Sequence, residues 1–192
     1  MKFPRRSPAV PRSAVPAHYL PWLLDTASLT QRLIGACAGA FRVQVLNQAW
    51  DRPRPDEARV LGMRLRDRAL VRQVHLLCDG RPWVYARTIL PRTTLTGPER
   101  RLAHLKSRSL GAVLFSDPTM SRSRIEIAPL RPGDGLYEFA TLGLDTSPAE
   151  IWGRRTVFRL RGKPLLVSEF FLPGIGEFDV HHPGCAPLRG AL

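Results

Sequence analysis

The stretch from Ala69 to Leu90 constrains the fold of this chain more than any other. Ala69–Leu77 and Pro82–Leu90 are both rich in apolar, β-branched and aromatic residues, and only Cys78-Asp79-Gly80-Arg81 separates them. Asp-Gly is a favoured pair for a two-residue turn, because both residues tolerate the positive φ that matches the twist of the flanking strands. The run therefore predicts an antiparallel hairpin. A second hairpin is predicted where Thr156–Arg161 and Pro164–Leu172 flank Gly162-Lys163, and Phe41–Val45 and Arg124–Ala128 read as further strands. Helices fall between the hairpins. Ser28-Leu29-Thr30-Gln31 has the form of a capping box opening a helix that carries Leu29, Leu33, Ile34 and Cys37 on one side. Thr96-Gly97-Pro98-Glu99 has the same form ahead of Leu102 and Leu105, and Ser109 can cap a short helix through Leu110, Val113 and Leu114. Roughly six strands with helices between them predict an α+β domain built on an antiparallel sheet.

A chain of 192 residues, 44% of them hydrophobic, supplies one ordinary domain with a real core. Residues 1–18, with four prolines and three arginines, read as a basic, disordered arm; 19–173 as the domain; 174–192 as an irregular tail. No run approaches the roughly 18 apolar residues of a membrane span, and the N-terminus lacks a secretory apolar region, so the expected compartment is the cytoplasm. Cys37, Cys78 and Cys185 lack CxxC spacing and are expected to be free thiols. The formal charge of +13 favours an anionic partner. The arginines are nevertheless spread along the chain without a recognised binding motif, so neither nucleic acid nor a membrane is expected as a stable partner. The two predicted helices around Arg100 and Ser109 read as an ordinary helical pair, not a DNA reader. His181-His182-Pro183-Gly184-Cys185 holds metal-ligand residue types but has no matching cluster elsewhere. With no GxSxG, GxGxxG or P-loop present, no nucleotide cofactor is indicated.

Three features ask for a chemical explanation. If Asp79-Gly80 is a simple two-residue turn, Leu76 faces Trp83, Val74 faces Tyr85, and Arg72 faces Arg87. Two cations directly opposed at the end of an apolar strip call for an anion between them; alternatively the strip is solvated there, or a one-residue register change separates the pair. Glu169 lies in an otherwise apolar strand, opposite Thr156 if Gly162-Lys163 is the turn. A carboxylate there needs either a ligand to hydrogen-bond or a salt bridge to an arginine such as Arg154 or Arg155. Leu29 and Leu110 each follow a serine at a predicted helix start, where free backbone N–H groups favour carboxylates.

The segments Leu76–Thr88, Leu95–Glu99, Trp152-Gly153-Arg154-Arg155 and Gly162–Pro173 resemble those of the bacterial chorismate lyases, and the likeness runs from about Tyr19 to Pro173. That resemblance implies a six-stranded antiparallel sheet with helical flaps over a buried ligand site. It also implies elimination of pyruvate from chorismate to leave 4-hydroxybenzoate, at the first committed step of ubiquinone biosynthesis, without a cofactor. By matching position, Arg72 and Glu169 fall on the family's charged ligand-binding residues, and Leu110 on one whose backbone N–H meets the ligand carboxylate. Leu29 falls on a further backbone contact where methionine is also found. Arg87 is expected to stabilise charge on the departing enolpyruvyl group. The protein is expected to be a monomer.

The segment 129–150 and the tail beyond Pro173 are longer than the resemblance predicts, and the basic arm has no counterpart in it. Effector-sensing domains of some bacterial transcription regulators share the same fold, so a non-catalytic small-molecule binding module is the alternative. The roughly 18 residues before the predicted domain are too few for the DNA-binding domain that normally accompanies such a module.

Overall fold

The computed structural model describes residues 12–175. Seven strands, β1 (Phe41–Asp51), β2 (Ala69–Cys78), β3 (Arg81–Pro91), β4 (Ser121–Arg122), β5 (Glu126–Leu130), β6 (Ile151–Leu160) and β7 (Lys163–Phe171), form one antiparallel sheet. Its order is β1-β2-β3-β7-β6-β4, with β5 also paired to β6. Five short helices pack on it: α1 (Leu20–Leu24), α2 (Leu29–Ala36), α3 (Pro55–Val60), α4 (Leu110–Phe115) and α5 (Tyr137–Ala140). The fold is α+β, as the alternation of hairpins and capped helices predicts. None of the helices among the described residues is long and apolar enough to cross a membrane.

Both hairpins close through two-residue turns with positive φ throughout. Asp79 and Gly80 have φ of 48° and 79°, and Arg161 and Gly162 have 48° and 77°. The second turn is thus Arg161-Gly162, one residue earlier than expected, which moves each cross-strand partner by two residues and puts Glu169 opposite Arg154 instead of Thr156. A shift of two keeps the same face of the sheet.

The first hairpin departs from simple pairing in a different way. Cys78 faces Arg81 and Leu77 faces Pro82, but Leu76 then faces Val84, so Trp83 is bulged out of register. Beyond that bulge Arg72 faces Thr88 and Gln73 faces Arg87. The opposition of Arg72 and Arg87 that a simple turn would give does not occur; the alternative of a one-residue register change holds, and the extra residue sends their side chains to opposite faces.

Both faces are covered, and all ten residues of β2 are buried. On the front, Val74, Leu76, Val84 and Phe171 pack against Trp22 and Leu23 of α1 and Leu29 and Leu33 of α2. Also on the front, Leu70, Leu90, Phe158 and Leu165 pack against Leu102 and Leu114. On the back, Tyr85, Ile151 and Phe170 lie under Leu136, Tyr137 and Ala140, and Val71, Ile89 and Leu166 meet Val60, Leu61 and Met63. The insertion at 129–150 is therefore a lid on the back, where it extends β5 and supplies α5. Arg12–Ala14 and Ala17–Tyr19 form single 3-10 turns and Val15 is buried in the front core, so packing begins ahead of the expected boundary at residue 19. His181, His182 and Cys185 lie outside the described residues.

The sequence expectation of free thiols is corrected at two of the three cysteines: Cys37 and Cys78 are joined by a disulfide. Cys37 caps the C-terminus of α2, and the β1–β2 register sets Phe41 against Cys78, so the short link from α2 into β1 brings the two sulfurs together. The side chain of Asp79, held in its left-handed turn, accepts a hydrogen bond from the Ala40 N–H at 2.8 Å and fastens the same corner. The second predicted capping box is also corrected. Thr96 makes no side-chain cap, Gly97–His104 is a 3-10 helix, and the Glu99 carboxylate instead receives Arg161 and Lys163, both at 2.7 Å, which hold its pKa below the ordinary carboxylate range.

On the back face Arg87 donates through Nε to Glu57 Oε1 at 2.8 Å and through Nη2 to Oε2 at 3.1 Å, and both side chains are buried. Burial opposes the arginine's charge, but the hydrogen bonds and charge of Glu57 outweigh it and raise its pKa. Removing one partner would leave an unpaired buried charge. Glu57→Gln is accordingly expected to cost about 3 kcal/mol in urea unfolding, with the cost falling when Arg87→Met is added. Reduction of Cys37–Cys78, which spans 41 residues, is expected to cost about 4 kcal/mol in the same measurement.

Candidate active site

A cavity on the front face draws its floor from four sheet strands and its roof from α2 and α4. Each floor residue is set by register. One cross-strand row runs Val74, Ala86, Glu169, Arg154, and the next runs Arg72, Thr88, Val167, Thr156. All eight line the cavity. The roof is Ala27, Leu29 and Thr30 on one side and Ser109, Leu110, Gly111 and Leu114 on the other, with Phe115, Arg122 and Ile125 nearby.

Arg72 is 2% exposed and has no carboxylate within ion-pair distance among the described residues. Its guanidinium is held by neutral oxygens alone, donating to Gln48 Oε1 at 2.9 Å and to the Arg108 carbonyl at 3.3 Å. Gln48 is itself fixed by donating to the Ala103 carbonyl at 2.8 Å. Burial lowers the Arg72 pKa with nothing opposing it. A desolvated cation of this kind gains most from an anionic ligand.

The two roof helices present their N-termini to the same space. Ser28 Oγ accepts from the Gln31 N–H at 3.5 Å and Ser109 Oγ from the Ala112 N–H at 3.4 Å, so each helix is capped by the serine predicted for it. The N–H groups of Leu29 and Leu110, at the first helical positions, have no partner within their own helices and carry the positive end of the helix dipole.

Glu169 is half-buried between these elements. Its Oε2 accepts from Arg154 Nε at 2.6 Å, which settles the choice between Arg154 and Arg155. Arg154 is fixed in turn by donating to the carbonyls of Trp22 at 2.9 Å and Asp25 at 2.5 Å, at the C-terminal end of α1. Arg155, the next residue on β6, points to the back, where it pairs with Asp56 and Glu126. The arrangement leaves one edge of the Glu169 carboxylate facing the cavity while Arg154 holds the other.

Four of the five residues singled out in the sequence, Leu29, Arg72, Leu110 and Glu169, come together here. Arg87 does not. It lies behind the sheet with Glu57, on the side that the Trp83 bulge gave it. The second cation of the cavity that lacks a carboxylate partner is instead Arg122 of β4, half-buried and in no ion pair among the described residues. Nothing in the sequence marked it, since β4 is only two residues long. Three arginines against one glutamate leave the lining positive, suited to a ligand with more than one negative group.

A family model described as chorismate lyase matches residues 8–179. Proteins named probable chorismate pyruvate-lyase are similar over most of their length. The one from Azoarcus sp. (strain BH72) is 48% identical over 159 residues, covering 81% of this chain and 84% of its own. That from Methylococcus capsulatus is 43% identical over 154 residues, covering 80% and 94%. Among solved structures, PhnF from Mycobacterium smegmatis matches with a TM-score of 0.58 at 18% identity, over 79% of this chain and 66% of PhnF. A GntR-family transcriptional regulator from Bacillus cereus matches at 0.51 and 15% identity, over 70% and 92%; at such identities the likeness is one of fold alone. With its family match spanning the whole described domain, this chain belongs to the chorismate lyase family.

Proposed function

We propose that the protein eliminates pyruvate from chorismate to give 4-hydroxybenzoate, acting as a monomer without metal or cofactor and feeding ubiquinone biosynthesis. The observation that carries this reading is Arg72, a buried cation with no carboxylate partner among the described residues, set in a cavity under two helix N-termini. Chorismate bears two carboxylates, a ring hydroxyl and an apolar ring, and each has a counterpart in the lining. Arg72 and the N–H groups of Leu29 and Leu110 hold the ring carboxylate. Glu169, oriented by Arg154, accepts a hydrogen bond from the ring hydroxyl. Val43, Leu76, Phe158 and Val167 surround the ring.

The enolpyruvyl carboxylate needs a second cation, and Arg122 supplies it. Four strand spacings separate β2 from β4, about 19 Å across the sheet. Both arginines line the same cavity, Arg72 from β2 and Arg122 from β4. Arg87 is given no contact with the ligand; its work is to hold the strand between Arg72 and Glu169 in place.

In the reaction the ether C–O bond to the ring breaks, and the hydrogen on the hydroxyl-bearing ring carbon passes to the enol methylene. That yields pyruvate and an aromatic ring, with no water or other reactant consumed. Aromatisation supplies the driving force, so the protein's contribution is to hold the reactive conformer and exclude water.

Purified protein incubated with chorismate and EDTA is expected to release 4-hydroxybenzoate and pyruvate in equal amounts by chromatography. Unchanged chorismate, from folded protein free of bound product, would overturn the assignment. Arg72→Met is expected to lower kcat/KM by about 100-fold, and Glu169→Ala to lower kcat by about tenfold. Arg122→Gln discriminates more finely. Because 4-hydroxybenzoate lacks the enolpyruvyl carboxylate, this change should raise the KM for chorismate about tenfold and leave the inhibition constant of 4-hydroxybenzoate unmoved. Equal weakening of both would remove Arg122 from the account.

A further inference from the structure

We infer that the hydroxyls of Thr30 and Ser109 form a latch joining the two roof helices, and that this single hydrogen bond sets how fast the cavity releases its aromatic product. The inference rests on the proposed lyase reading for the identity of the product, but not for the latch itself.

Thr30 Oγ1 and Ser109 Oγ lie 2.6 Å apart, a short hydroxyl pair between residues 79 apart in sequence. Thr30 is the second residue of α2 and Ser109 caps α4, so the bond ties the two helix ends that roof the cavity. The helices touch closely at this point: a Cβ on Gly111 would fall 2.8 Å from Thr30 Oγ1, so glycine is what allows the approach. Thr30 is buried and Ser109 half-buried, so solvent reaches the pair from one side at most.

The rest of each roof element is fastened elsewhere. The C-terminal end of α2 is pinned to the sheet by Cys37–Cys78, and the segment before α4 is held by the Arg72 and Gln48 bonds to the carbonyls of Arg108 and Ala103. The α2 flap is thus anchored at its C-terminal end, the α4 flap through the segment that leads into it, and the two are joined over the ligand. A ligand that lies beneath both helix N-termini leaves only when they part, and parting breaks the Thr30–Ser109 bond. Thr30 acts here as a positioning residue, because it works through the placement of α4 and its N–H groups.

Thr30→Val keeps the shape of the side chain and removes the hydroxyl, while Thr30→Ser keeps the hydroxyl. Two readouts in the full chain test the latch. Dissociation of 4-hydroxybenzoate, followed by stopped-flow displacement, is expected to be about fivefold faster in Thr30→Val and to return to the wild-type value in Thr30→Ser. Amide hydrogen exchange in the ligand-free protein is expected to accelerate in Thr30→Val within Leu29–Ala36 and Leu110–Phe115 and to stay unchanged in β2 and β3. An unchanged dissociation rate, failure of Thr30→Ser to restore it, or exchange that rises throughout the sheet would overturn the latch. If the wild-type protein binds no 4-hydroxybenzoate, the lyase reading fails by itself. The exchange pattern then decides the latch alone: acceleration confined to the two helices supports it, and no acceleration overturns it.

Discussion

The offset of one residue at Trp83 decides what each face of the sheet carries. Before it, β2 and β3 pair as the Asp79-Gly80 turn dictates; after it, every partner is displaced by one and the parity of β3 relative to β2 is reversed. Arg72 then shares its face with Thr88, Ala86 and Glu169, while Arg87 shares its face with Tyr85 and Gln73. Without the bulge two guanidinium groups would lie opposed on one face, at a cost only a bound anion could offset. With it, one arginine is free to meet a ligand and the other becomes structural. The site is therefore a consequence of strand register, in which a two-residue turn and a bulge together choose the residues that line the cavity.

The two faces differ in one arginine: Arg154 in front meets Glu169, but Arg72 meets no carboxylate among the described residues. Behind the sheet Arg87 has Glu57, and Arg155 has Asp56 and Glu126, with α3 delivering Asp56 and Glu57 from its first turn. In front, Arg72 is held only by an amide oxygen and a carbonyl. Hydrogen bonds to neutral oxygens satisfy the donors of a guanidinium without neutralising its charge, so Arg72 is fixed in place yet still in deficit. That deficit is tolerable in a domain stabilised elsewhere by its core and by paired charges. It is also what a binding site for an anion requires, because the desolvation is met when the protein folds and not when the ligand arrives.

Much of this was legible in the sequence, and what was not has identifiable physical causes. The hairpins were readable because Asp-Gly and the Gly162 turn act locally, and the serine caps of α2 and α4 were readable for the same reason. A one-residue register change stood as one alternative for Arg72 and Arg87, but nothing local chose it or placed it, since the bulge answers to the packing of Trp83 against the front core and no turn residue announces it. The Arg161-Gly162 turn was misplaced by one residue because Gly162 serves as the second turn residue, while Arg161, without glycine's freedom, takes the left-handed first position. The Cys37–Cys78 bond and the cavity position of Arg122 depend on contacts between elements distant in sequence, so no spacing rule could have found them. Glu169 shows the middle case. Its isolation in an apolar strand identified it as a residue needing a partner, but only the register named Arg154.

The excess of 29 Lys and Arg over 16 Asp and Glu takes on a different meaning once the site is located. A basic chain ordinarily points toward a polyanion, yet three of the arginines here, Arg72, Arg122 and Arg154, line a cavity sized for a small molecule. A ligand with two carboxylates is itself strongly drawn by a positive field. Walls of low dielectric focus that field into the cleft and raise the rate at which such a ligand arrives. The same field retards a departing anion, and in the proposed reaction the ring carboxylate assigned to Arg72 is present in substrate and product alike. Electrostatics that favour capture thus oppose release, and the balance falls to the roof. A site of this charge needs a roof that can part, and two short helices, one pinned at its C-terminal end by Cys37–Cys78 and the other held through the segment before it, meet at their N-termini over the cavity.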